Sequence, residues 1–195
     1  MIAAGKWLCY LFTMALLFSA GMLIQRRTQP PAKVLVFDSF VSRQQSNMPS
    51  LLLWVNGTCP LSRQYVPHLK HIIQQASLWN WNTVLVSVQD SVCDPLFRQL
   101  GVSWHVQDTQ ALLANWFNVS VIPTAMLFRS FPDTKNVAAG LVYQGAIDNW
   151  ASETGKHRQN IDEHFLQDAM EDLHSGHSIR NRNTKPFGCF IEYNQ

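Results

Sequence analysis

The run Leu51-Leu52-Leu53-Trp54-Val55 contains no polar residue and stops at Asn56-Gly57-Thr58. A strand with one wet face alternates apolar and polar side chains, whereas an unbroken apolar run is covered on both faces. Cys59-Pro60 follows at once and opens a helical segment. Proline is tolerated at a first helical position because its missing N–H would have no partner there. Tyr65, Val66, Leu69, Ile72, Ile73 and Ala76 then recur at helical spacing, and Pro67 inside the segment is expected to kink it. A doubly covered strand passing through a tight turn into a helix confines the chain to α/β architectures.

The rest of the chain repeats the alternation. Val34–Phe40 reads as an extra edge strand. Thr83–Val88 is rich in β-branched residues and reads as the next strand. A short helix is expected over Asp94–Leu100, ended by Gly101, then a short strand over Val102–Val106. Asp108 or Thr109 is placed to cap a helix running to about Phe117. Thr124–Phe128 reads as a strand, preceded by Ile122-Pro123, with Leu141–Ile147 as its hairpin partner. Ile161–Leu173 carries Ile161, Phe165, Ala169 and Leu173 on one helical face. Early βαβ units imply parallel pairing and the late hairpin an antiparallel edge. The expected fold is therefore α/β, a mixed sheet with helices on both faces. With 47% hydrophobic residues the chain can fill such a core, and a net charge of +2 is too balanced to suggest nucleic-acid binding.

Trp7 to Ile24 is an uncharged run of 18 residues between Lys6 and the Arg26-Arg27 pair. It is long for a signal-peptide core and marginally long enough to span a bilayer. It reads as an uncleaved signal anchor that tethers the chain to a membrane through residues 7–24 and leaves the domain on the extracytoplasmic, periplasmic side. Cleavage after Ala20, where Phe18 sits in place of a small residue, would make the protein secreted. The organisation expected is an anchor over residues 1–27, a polar linker with two prolines over 28–48, the α/β domain over 49–176 and a tail packing back on it over 177–195.

Four cysteines must be placed: Cys9, Cys59, Cys93 and Cys189. Cys9 lies within the apolar run and reads as a bystander. Cys59 stands at a helix start, where backbone N–H dipoles favour a thiolate. Three residues on, where a Cys-x-x-Cys motif places its second thiol, the chain has Ser62. Ser62 or Thr58 is in position to donate a hydrogen bond to the thiolate. Cys93, before Asp94-Pro95, reads as a buried or bridged thiol. Cys189 could meet Cys59 or Cys93, and reads first as a staple for the tail and second as a resolving thiol. His68 and His71, and His174 and His177, default to surface histidines, so neither a metal nor another cofactor is expected. The sequons at Asn56 and Asn118 read as chance matches.

These residues together resemble the thioredoxin fold. The active-site cysteine follows the first core strand, a proline kinks the helix eight residues later (Cys59 and Pro67), and Val121-Ile122-Pro123-Thr124 matches the segment that carries that fold's cis-proline. Gly145 in the following strand matches as well. The resemblance spans roughly residues 50–175 and implies that Pro123 is cis and lies beside Cys59, on a segment that pairs with an extended substrate peptide. GTCPLS at 57–62, YQGAID at 143–148 and KPFGC at 185–189 resemble the redoxins grouped with the alkyl hydroperoxide reductase/thiol-specific antioxidant family. Two departures count. Leu52 and Asn56 stand where the peroxidatic Pro-x-x-x-Thr-x-x-Cys motif has Pro and Thr, which argues against a dedicated peroxidase. Ser62 removes the self-resolving dithiol. The function expected is thiol-disulfide exchange through Cys59, with Ser62 and Pro123 beside it and release of the mixed disulfide left to an external thiol, to Cys93 or to Cys189. Protein thiols or disulfides, or a small thiol reductant, would be its partners. The rival is a non-catalytic binding module built on the same groove; a copper carrier would lack its second thiolate.

Overall fold

The structure, a computed structural model, describes residues 47–89, 98, 100–102, 104–130, 140–151 and 158–193. The expected membrane segment, residues 28–46 of the linker, the edge strand at 34–40, the helix at 94–100 apart from Arg98 and Leu100, and both Cys9 and Cys93 lie outside them. Among the described residues no helix is long and apolar enough to cross a membrane.

The described elements, in chain order, are β1 (Ser50–Val55), α1 (Pro60–Gln64), α2 (Val66–Leu78), β2 (Asn82–Val88), β3 (Trp104–Asp108), α3 (Leu112–Trp116), β4 (Val121–Ile122), β5 (Thr124–Phe128), β6 (Leu141–Gly145), α4 (Phe165–His174) and β7 (Cys189–Phe190). Five strands form one sheet in the order β3-β2-β1-β5-β6. β1 pairs parallel with β2, and β2 with β3; β5 runs antiparallel to both β1 and β6. This mixed sheet fits the thioredoxin-like fold expected from the sequence, and β1 at its centre is buried at every position.

Alternation along β1 divides the core into two. Leu51, Leu53 and Val55 face one cluster with Leu69, Ile72, Ile73 and Ala76 of α2 and Leu166, Ala169, Met170 and Leu173 of α4. Leu52 and Trp54 face the other, with Leu113 and Ala114 of α3, Phe117 and Cys59. The period of two along a strand enforces this split, and it explains why the run needed no polar residue.

Five boundaries differ from the sequence reading; the simplest is β6, which ends at Gly145 rather than Ile147. The Pro67 kink appears as a break at Tyr65, the residue shared by the end of α1 and the start of α2; crowding before a proline moves the interruption upstream. β3 runs two residues later than expected, because Val106 and Asp108 pair in register with Val86 and Val88. α3 starts only after Ala111, which is left-handed (φ 53°), rather than at an Asp108 or Thr109 cap. Asp108 still serves that helix from a distance, its Oδ2 accepting the Ala114 N–H at 2.8 Å. α4 starts at Phe165, leaving half-buried Ile161 in the preceding irregular segment.

The tail is more regular than expected. Gln144 N–H donates to Arg182 O and Thr184 N–H to Gln144 O, joining the tail to the outer edge of β6. Gly145 permits the approach, since a Cβ there would overlap Thr184 and lie 2.7 Å from its backbone nitrogen. The tail ends as β7, paired antiparallel with β4.

Candidate active site

Asn56 builds the turn that carries Cys59. Its Nδ2 donates to Val88 O at 2.7 Å, and its Oδ1 accepts from both the N–H and the hydroxyl of Thr58 at 2.6 Å. An Asn side chain closing on the backbone two residues ahead is a standard turn device. It also ties the end of β1 to the end of β2, and it leaves Asn56 buried and fully engaged rather than available as a glycosylation acceptor. Cys59 then occupies the extended N-cap position of α1, with Pro60 directly after it.

Cys59 is 3% exposed. Its Sγ lies 3.8 Å from the carbonyl oxygen of Ile122 and is bonded to Sγ of Cys189, with the two Cα atoms 6.2 Å apart. The Ile122-Pro123 peptide bond is cis. Cys59 and Pro123 are therefore brought together, and Cys189 joins them. Ser62 is fully buried in the same turn, but its Oγ accepts the Asn56 N–H at 3.3 Å. Thr58 likewise spends its hydroxyl on Asn56. The hydroxyls read from the sequence as thiolate donors thus hold the turn that presents the sulfur.

Cys189 reaches Cys59 along a strand. Ile122 is its register partner across β4–β7, and Val121 faces Phe190. Ile191 N–H donates to Ser120 O at 2.9 Å, and Ile191 is buried in the cluster that holds Trp54 and Phe117. Beyond it, Gln89 donates to Glu192 O and Tyr193 to Val119 O. On the other side of the disulfide, Lys185 and Phe187 line a cavity of about 110 Å³ with Pro123, Tyr65 and Asp148.

That cavity has a polar floor which sequence reasoning did not assemble. Asp148, the last residue of YQGAID, is buried. Its Oδ1 accepts from Tyr65 Oη at 2.6 Å and from Trp150 N–H at 2.9 Å, and its Oδ2 lies 3.3 Å from Nδ1 of His68. Burial, then the hydrogen bond to Asp148, pushes the Tyr65 phenol well above its ordinary pKa, so it remains a donor. The three-residue spacing of Tyr65 and His68, which sets them on one helical face, was the signal the sequence held. His68 belongs to this cluster, while His174 stacks on Trp79 at 4.2 Å. Among the described residues no group of three or more His, Cys, Asp or Glu side chains is placed to hold a metal ion.

No protein-family model matches the chain, and no curated protein matches it significantly. Solved structures do. A hypothetical protein from Sinorhizobium meliloti superposes with a TM-score of 0.60 at 16% identity, over 79% of this chain and 84% of that one. An uncharacterized conserved protein from Geobacillus kaustophilus gives 0.59 at 15% identity, over 77% and 79%. At such identities the likeness is one of fold. A secreted disulfide oxidoreductase from Mycobacterium tuberculosis covers 67% of this chain and 83% of its own at 12% identity, but its TM-score of 0.39 is too low to bear on the chemistry.

Proposed function

We propose that this protein performs thiol-disulfide exchange, with Cys59 as the attacking thiol and Cys189 as its resolving partner. The observation that carries this reading is the Cys59–Cys189 bond itself, set beside the cis peptide Ile122-Pro123. In the reduced protein the Cys59 thiolate attacks a substrate disulfide R–S–S–R′. The Cys59–S–S–R bond forms and R′–S⁻ leaves. The Cys189 thiolate then attacks Cys59 Sγ, which restores the internal disulfide and releases R–S⁻. Two electrons pass from the cysteine pair to the substrate, and a small thiol reductant resets the pair. The helix start at Cys59 favours the thiolate, both as nucleophile and as leaving group. Pro123 and Ile122 supply the backbone edge on which an extended substrate lies, and Ser62 braces the turn. Cys93 is a spare thiol in this scheme.

The resemblance of GTCPLS, YQGAID and KPFGC to redoxins of the alkyl hydroperoxide reductase/thiol-specific antioxidant group supports the same chemistry. An exported, membrane-tethered domain is supported by the apolar run at residues 7–24 and by a disulfide, which persists in oxidising compartments. A second reading is favoured by the tail contacts on both sides of Cys189: the bond would be a permanent staple, and the domain a binding module.

Trapping separates the two. With reduced protein and a disulfide-bonded protein substrate, Cys189→Ser is expected to accumulate a mixed disulfide at Cys59, and Cys59→Ser none. Wild type is expected to reduce insulin-type substrates, and both variants to lose that activity. Equal reduction by wild type and Cys59→Ser would remove the enzyme reading.

A further inference from the structure

Resting on that exchange reading, we infer that Cys59 selects substrates by local sequence, and that the chain's own tail displays the preferred one: an extended peptide with glycine immediately before the reactive cysteine and an aliphatic residue two positions after it. The tail sits where any strand bonded to Cys59 along the Ser120–Ile122 edge must sit, so its fit at each position measures what that edge admits. Gly188 packs directly on the cis-proline segment. A Cβ at that position would lie 2.6 Å from the Ile122 carbonyl carbon, nearer still to its oxygen, and 3.1 Å from Pro123 nitrogen. These are backbone atoms held between β4 and β5, so they cannot move aside as the end of a side chain could.

The next positions discriminate differently. Cys189 is fixed by the bond and by its pairing with Ile122. Phe190 is 81% exposed, so the edge imposes no choice there. Ile191 is 6% exposed and packs in the core cluster, held by its N–H on Ser120 O. The pattern is Gly-Cys-any-aliphatic. A substrate and the tail exclude each other, so resolution by Cys189 is also the return of the tail strand and the expulsion of the reduced product.

The test uses the full chain carrying Cys189→Ser, reduced, with octapeptides of the tail sequence Lys-Pro-Phe-Gly-Cys-Phe-Ile-Glu activated as mixed disulfides with 2-nitro-5-thiobenzoate. Cys59 attack on the peptide sulfur releases the coloured thiolate and leaves the peptide on the protein; the Cys59→Ser, Cys189→Ser double variant gives the background. The parent peptide is expected to react at least about tenfold faster than one with alanine before cysteine, a difference of ~1.4 kcal/mol in barrier. Serine in place of the isoleucine should also slow it about tenfold, and serine in place of the second phenylalanine should not slow it. Equal rates for the glycine and alanine peptides, both at Cys59, would leave exchange standing and overturn the selection. Release at the background rate with every peptide would overturn the exchange reading and this inference with it.

Discussion

Removal of the Cys59–Cys189 bond should cost a definite amount of stability, and that amount tests whether the tail docks by itself. The bond closes a loop of 130 residues. In the chain-entropy treatment such a loop destabilises the unfolded state by ~5 kcal/mol. Against this, a Cys59 thiolate in the reduced native state gains the dipoles at the start of the one-turn α1, worth at most ~1 kcal/mol. The expected loss in Cys189→Ser is therefore ~4–5 kcal/mol, equivalent to ~85–105 mV in the potential of the pair. A loss of that size requires the tail to remain in place without its bond. The Arg182 and Thr184 backbone bonds to β6, the Ser120–Ile191 bond and the buried Ile191 side chain are what would keep it there. Urea unfolding of oxidised wild type and of Cys189→Ser, followed by tryptophan fluorescence, gives both free energies and slopes. The slope should rise in the variant, since an uncrosslinked unfolded chain exposes more surface. A loss well above ~5 kcal/mol would refute the reasoning, because loop entropy cannot supply it; the tail would then be detaching, and a detached Cys189 cannot act as a prompt resolving thiol.

Gly188→Ala should weaken the internal disulfide without touching either cysteine: the overlap with Ile122 predicts a shift of at least ~30 mV toward the dithiol in a glutathione titration, and an unchanged potential would show that the strand yields. Asp108 gives a pH signature. Burial raises its carboxyl pKa, against the lowering effect of the Ala114, Leu113 and Leu112 N–H groups. The folded state then holds the proton more tightly than the unfolded state, so this contribution to stability is complete below about pH 4, the ordinary carboxylate value, and is lost as pH rises through the raised value. Stability of wild type relative to Asp108→Asn should fall across that window, and a parallel pair of pH profiles would contradict the assignment.

What could be read in the sequence was set by local chemistry. β1 was legible because its five apolar residues are too few for a buried helix and stop at a Gly-Thr turn, and β2 because TVLVS repeats β-branched residues. Pro123 was legible through a resemblance carried by its neighbours. The start of α3 was not, since Asp108 serves the first turn of that helix from outside the N-cap position, reaching six residues ahead to Ala114 over a left-handed Ala111. Asp148 was visible as a residue but not as the acceptor of Tyr65, 83 positions earlier in the chain. No periodicity encodes a pair at that distance.

β7 shows why the site itself was only half legible. A two-residue strand has no alternation to detect, and the edge it covers, Val121–Ile122, is equally short. Its specification lies in residues that look unremarkable singly: Gly145 lets Thr184 close on β6, Gly188 lets the backbone close on Ile122, and Ile191 anchors the far end in the core. Each removes one way for the tail to lie elsewhere. Together they bring a cysteine to 6.2 Å from Cys59, Cα to Cα. The composition of the tail is polar, as for a solvated terminus, but a glycine directly before a cysteine and an isoleucine two residues after it meet different requirements of one edge. If the tail were only a covalent staple, reach to Cys59 would suffice and neither neighbour would need to fit so closely. Two close fits flanking Cys189 are what strand recognition demands, which is why reactivity toward peptides of this pattern, more than the bond's presence, separates the exchange reading from the staple.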